Sequence, residues 1–82
     1  MSILKEEIND NEIIYEVESS NLKKTTYNIS EKVLTIEFNK GQIYEYYDVP
    51  HRTVVQFKLA ESQGKYFVQN IAKTFKYKKL NN

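Results

Sequence analysis

Period-two alternation dominates the first half of the chain. Between Glu12 and Glu18, Ile13, Tyr15 and Val17 fall on one side and Ile14, Glu16 and Glu18 on the other, which predicts a strand. Asn9-Asp10-Asn11 before it is a turn signal, because these side chains bond their own backbone and tolerate left-handed conformations. Upstream, Ile3, Leu4 and Ile8 could line the first strand of a hairpin or one face of a short helix; the hairpin is preferred. After the polar break Ser19-Ser20-Asn21, residues 22–27 predict another strand, with Leu22 and Thr26 on one side and Thr25 and Tyr27 available to the other. Asn28 to Lys32 turns the chain. The clearest alternation follows, Leu34, Ile36 and Phe38 against Val33, Thr35 and Glu37. Asn39-Lys40-Gly41 offers glycine where a short loop suits positive φ, and residues 42–47, rich in Ile and Tyr, predict one more strand. Three consecutive strands joined by short loops imply an antiparallel meander.

At Asp48-Val49-Pro50 the period changes. Proline is favoured in a first helical turn, and Asp48 or a neighbour can cap the start. Val54, Val55, Phe57, Leu59 and Ala60 then present a broad apolar helical face, ended by Ser62-Gln63-Gly64 through a glycine C-cap. Phe67 and Ile71, four residues apart, predict a second short helix from Lys65 to about Ala72. Residues 75–80 read as extended. The expected class is α+β: a small antiparallel β-meander with one or two short helices packed on one face and a C-terminal extended segment.

Composition narrows the function. Eighty-two residues allow one domain, and the absence of cysteine removes disulfides, thiolate metal sites and a cysteine nucleophile. A lone His51 cannot build a histidine metal cluster, and the acids of residues 19–82 (Glu31, Glu37, Glu45, Asp48 and Glu61) lack metal-ligand spacing. No apolar run approaches the ~20 residues of a membrane span, and no secretory signal pattern is present. The expectation is a cytoplasmic, non-catalytic domain with no metal, no cofactor and no membrane association. The net charge of +1 conceals a division. Residues 1–18 carry one Lys against six acids, net −5, whereas residues 19–82 carry eleven basic against five acidic residues, net +6. Such asymmetry points to an anionic partner unless the acidic segment lies across the basic one.

The stretch from Ser19 to Pro50, followed by a helix and then "SQGKYFVQNI", resembles the KTSC family. These small domains occur at the C-terminus of some lysyl-tRNA synthetases and as free-standing bacterial or phage proteins. The resemblance rests on Tyr44 and Tyr46 with one residue between, the helix start Val49-Pro50, and the element Gly64-Lys65-Tyr66-Phe67. It covers about residues 19–80 and divides the chain into an acidic extension, 1–18, forming a hairpin or strand, and a KTSC-like domain, 19–82. It implies an accessory module with RNA binding as a suggested role; aminoacylation is excluded, since nothing resembles a synthetase catalytic domain.

Three binding classes follow. Single-stranded nucleic acid is held by basic side chains along its phosphates and by rings that stack on its bases. The candidates are Lys73, Lys76, Lys78 and Lys79 with Phe75 and Tyr77 interleaved, extended by Lys23, Lys24 and Lys65, with Tyr44 and Tyr46 on one strand face and Tyr47 on the other. If the helix covers Tyr44 and Tyr46, Tyr47 becomes the better stacking residue. A protein partner is the principal alternative, because a sheet with one helical layer leaves a face or edge available. A small nucleotide at Gly64-Lys65 is the third, although a lone Gly-Lys falls far short of a phosphate loop.

Overall fold

Alternation in the sequence becomes a six-stranded antiparallel meander. The computed structural model describes residues 2–81. Strands β1 (Ser2–Ile8), β2 (Glu12–Glu18), β3 (Leu22–Asn28), β4 (Val33–Phe38) and β5 (Ile43–Tyr46) follow one another across the sheet. Helix α1 (His51–Leu59), a single α-turn α2 (Gln63–Tyr66) and a π-helical turn (Phe67–Ile71) then cross one face. Finally β6 (Tyr77–Lys79) pairs with β5 at the far edge. No helix among the described residues is long and apolar enough to cross a membrane.

Cross-strand register decides which residues enter the core. Ile13 faces Tyr27, Tyr27 faces Leu34, and Leu34 faces Tyr46, so one row runs beneath the helices across four strands. Its neighbour is Tyr15, Thr25, Ile36 and Tyr44. All of these are buried except Tyr44, which is half-buried. One expectation fails here: Leu22 shares the helix-covered face with Thr25 and Tyr27, and Thr26 faces the other way. A bulge between Leu22 and Lys24 adds one residue to β3 and inverts the alternation from that point.

The helical layer also departs from its expected punctuation. Neither Asp48 nor a neighbour caps α1 with a side chain. Pro50 is the N-cap residue, and Asp48 adopts a left-handed φ of 57° in the preceding turn. Tyr27 anchors that turn through its hydroxyl, which donates to the Val49 carbonyl at 2.6 Å. Gly64 is not the C-cap of α1, which ends at Leu59 with Ala60 extended. The buried Gln63 side chain serves instead, its Nε2 donating to the carbonyls of Ala60, Lys58 and Phe57 at 2.9, 3.2 and 3.4 Å. A side-chain amide thereby satisfies carbonyls that a helix end leaves open. Gly64 lies within α2, where a Cβ would stand 3.3 Å from Ser19 Oγ; lack of a side chain permits the close approach. The second helix therefore starts at Gln63 rather than Lys65, with the Ser62 hydroxyl accepting from the Lys65 N–H.

The uncovered face of the sheet organises its own charge. Lys5, Glu16, Lys24 and Glu37 occupy successive positions of one cross-strand row, so opposite charges alternate from β1 to β4. Lys23 joins the same group, 3.7 Å from Glu37.

Candidate functional site

The two charged ends of the chain occupy opposite edges of the sheet. The acidic residues 2–18 form β1 and β2, whereas the lysine-rich end forms β6, separated from β2 by β3, β4 and β5. With strands about 4.8 Å apart, β2 and β6 stand about 19 Å from each other. The acidic hairpin therefore does not lie across the C-terminal lysines. Its Glu6 is committed elsewhere: the carboxylate accepts from Lys58 Nζ of α1 at 2.6 Å, and the same ammonium lies 5.7 Å from the centre of the Tyr15 ring.

At the opposite edge, helix-side residues of β4, β5 and β6 build an aromatic cluster. Tyr46 faces Tyr77 and Tyr44 faces Lys79 across the β5–β6 ladder, which puts all four side chains on one face. The Tyr77 ring centroid is 5.5 Å from both Tyr44 and Tyr46, and Phe38 and Phe67 complete the cluster by edge-to-face contacts. Between them opens a cleft of about 350 Å³ lined by Phe38, Gln42, Tyr44, Tyr46, Ala72 and Tyr77. The C-terminal strand is held there by Asn81. Its Nδ2 donates to the Gly41 carbonyl at 2.8 Å and its Oδ1 accepts from the Ile43 N–H at 3.0 Å, continuing the ladder with a side chain.

The sequence candidates do not all meet at this edge. Lys79 shares the cleft face with Tyr44, Tyr46 and Tyr77, and Lys73 follows the cleft residue Ala72 directly. Lys76 lies just before β6, where its carbonyl accepts from the Tyr47 N–H. Lys78 projects to the other face of the strand, opposite Glu45. All four lysines are exposed on this outermost strand and its approach. Lys23 and Lys24 belong instead to the uncovered face, where Lys23 pairs with Glu37 and Lys24 lies in a row of alternating charge, and Lys65 sits on α2 among Glu61, Ser62 and Gln69. Tyr47 is poorly placed for an anion: its hydroxyl donates to Glu45 at 3.0 Å, and it borders a groove that includes Glu12, Glu31 and Glu45. Phe38, Gln42 and Ala72 were not singled out as site residues by the sequence. Only the alternation placing Phe38 beside Leu34 and Ile36 pointed towards the first of them.

Burial sets the ionisation of the core tyrosines. The Tyr46 phenol is pushed up to about 12 from an ordinary 10.0, first by burial and then by the neighbouring Tyr44 and Tyr77 phenols. Burial likewise raises Tyr27, and raises Tyr15, where Glu6 adds to the effect and Lys58 opposes it. A phenol whose pKa is higher folded than unfolded keeps its proton longer in the native state. Stability is therefore intact below the ordinary value of 10.0 and falls as pH climbs from there towards about 12. Lys58, held above its ordinary 10.5 by the hydrogen bond it donates to Glu6, loses its contribution in the same direction. The melting temperature should drop across this alkaline window as tyrosinate absorbance appears; a flat profile would contradict the burial of Tyr46.

Other chemistry finds little support in the geometry. Among the described residues no group of three or more His, Asp or Glu side chains could hold a metal ion. His51 stacks on Tyr27 with centroids 5.8 Å apart and is exposed at the start of α1. The amide at Lys65 that a small nucleotide would need already bonds Ser62, and Gly64 is buried against Ser19.

A single antiparallel sheet, short helices on one face and an aromatic cleft at one edge define a small α+β module. The chain belongs to the KTSC domain family, whose profile matches residues 18–75. Lysine–tRNA ligases of Trichormus variabilis and Nostoc sp. are 38% and 40% identical over 63 residues, 77% of this chain. The match spans only 11% of those ligases. A short protein of Tsukamurella paurometabola is 39% identical over 70% of this chain and 84% of its own length. The crystal structure of a KTSC domain protein from Yersinia pestis superposes with a TM-score of 0.77 at 30% identity, covering 85% of this chain and 99% of that one.

Proposed function

We propose that this KTSC domain is a non-catalytic binding module in the cytoplasm whose partner is RNA or another single-stranded nucleic acid, engaged along the β5–β6 edge. The observation that carries the reading is the separation of charge. The acid-free run Lys73, Lys76, Lys78 and Lys79 stands at the sheet edge farthest from the acidic hairpin and beside the aromatic cleft. Lysines at an edge strand can follow a phosphate chain while neighbouring rings stack on bases, at ~1–3 kcal/mol per base. The kinship with a segment of lysine–tRNA ligases supports an RNA context; the ligases' own reaction is no part of the proposal.

Salt titration tests it. Affinity for a labelled random single-stranded RNA should be measurable at about 50 mM salt and fall log-linearly to about 200 mM. Absence of binding at the lower salt would overturn the reading in favour of a protein partner on the uncovered sheet face or edge.

A further inference from the structure

We infer that the cleft between β4, β5, β6 and the π-helical turn receives one unpaired nucleobase, so that this edge captures single strands in preference to duplex. The inference rests on the nucleic-acid reading above and adds to it the residues that hold the base. The cleft, about 350 Å³, is open to solvent and of a size for one small ring system. A base stacked on Tyr77 with its edge turned into the cleft must leave its helix and its pairing partner. Aromatic side chains make up four of the six lining residues, with Gln42 and Ala72 the other two. Tyr77, 56% exposed, presents the accessible ring.

Hydrogen-bonding capacity is the second observation. The Tyr27, Tyr47 and Tyr66 hydroxyls each donate to a protein oxygen, at 2.6, 3.0 and 3.1 Å. Among the described residues, the Tyr15, Tyr44, Tyr46 and Tyr77 hydroxyls and the Gln42 amide have no such partner, and all of these side chains except Tyr15 line the cleft. Tyr46 shows the distinction sharply. Its residue is only 4% exposed, yet its hydroxyl is not among the sealed, unsatisfied polar atoms; those are Thr25 Oγ1 and Gln63 Oε1. The buried ring therefore delivers its polar end to the cleft. A nucleobase can lay one face on the exposed Tyr77 ring and turn its edge to these donors and acceptors. Lys79, across the ladder from Tyr44, and Lys73, next to Ala72, supply positive charge for the attached phosphates.

The test compares labelled RNA of about 12 nucleotides as a single strand, as its duplex and as an abasic strand, at about 50 mM salt. The native chain should hold the single strand at least about tenfold more tightly than the other two. Tyr77→Ala should weaken single-strand binding by about 5- to 150-fold while leaving abasic binding unchanged, and Tyr77→Phe should retain most of the affinity. Melting temperatures verify that the variants fold. Equal, salt-dependent binding of all three nucleic acids, indifferent to Tyr77, would overturn base capture while sparing the nucleic-acid reading. No binding of any form would overturn both.

Discussion

Replacing Phe57 with Ala should lower the unfolding free energy by about 3–5 kcal/mol, while Leu59→Ala, two residues along the same helix, should change it by less than about 0.5 kcal/mol. Phe57 and Val54 are the buried side chains of α1, and both have no exposed surface. Nine residues are too few for a helix to persist in water without tertiary packing. Truncating Phe57 therefore removes its transfer energy, leaves a cavity beside Tyr66, whose ring lies 6.2 Å away, and loosens the attachment of α1. Domains of this kind are stable by only about 5–15 kcal/mol in total, so the loss is a large fraction of the whole. Leu59 is 74% exposed and gives up little on truncation. Urea denaturation distinguishes the two, since the midpoint should fall for Phe57→Ala at an unchanged slope. Comparable losses for both variants would mean that α1 packs in a different rotation.

That contrast also marks where sequence pattern stops being informative. An apolar face drawn through Val54, Val55, Phe57, Leu59 and Ala60 is legible as a helix, but only Val54 and Phe57 reach the sheet fully. A short helix crossing a twisted sheet touches it along a narrower line than its composition suggests. The strands were more legible, because period two is unambiguous wherever one face is buried. β1, readable as a hairpin strand or a short helix, and β3 were the exceptions. Nothing in Leu22-Lys23-Lys24 announces an inserted residue; the bulge depends on pairing with β4, which local pattern cannot supply. Gln63 illustrates the same limit. Its amide caps α1 only because the chain doubles back over three residues, whereas Gly64 next to it carried the more familiar signal of a helix end.

For the site, residue type was readable and assembly was not. The lysine run and the Tyr44/Tyr46 pair are evident in one dimension, yet their meeting requires β6 to return alongside β5 after the whole helical layer. The same return separates Lys23, Lys24 and Lys65 from the edge, although composition alone ranks them with the other lysines. Gln42 and Ala72 bear no distinguishing pattern; they become cleft residues through position.

This separation yields the second large effect. Replacing Lys76, Lys78 and Lys79 together with Ala should reduce the slope of log affinity against log salt by about 2, because each phosphate contact on a single strand contributes about 0.7. At roughly 0.1 M salt the same arithmetic gives a loss of about a hundredfold in affinity. All three residues are exposed, so the fold should be nearly unaffected. The matched control is the triple replacement of Lys23, Lys24 and Lys65, which removes the same formal charge from the uncovered face and α2. It should leave the slope near its native value, since Lys23 already pairs with Glu37 and Lys24 stands between Glu16 and Glu37. Within the edge set, Lys78 faces Glu45 and Lys79 faces Tyr44, so Lys79→Ala should cost more than Lys78→Ala. Equal slopes for the two triple variants would mean that the lysines act as a diffuse cloud of charge, and the β5–β6 edge would lose its claim to be the binding surface.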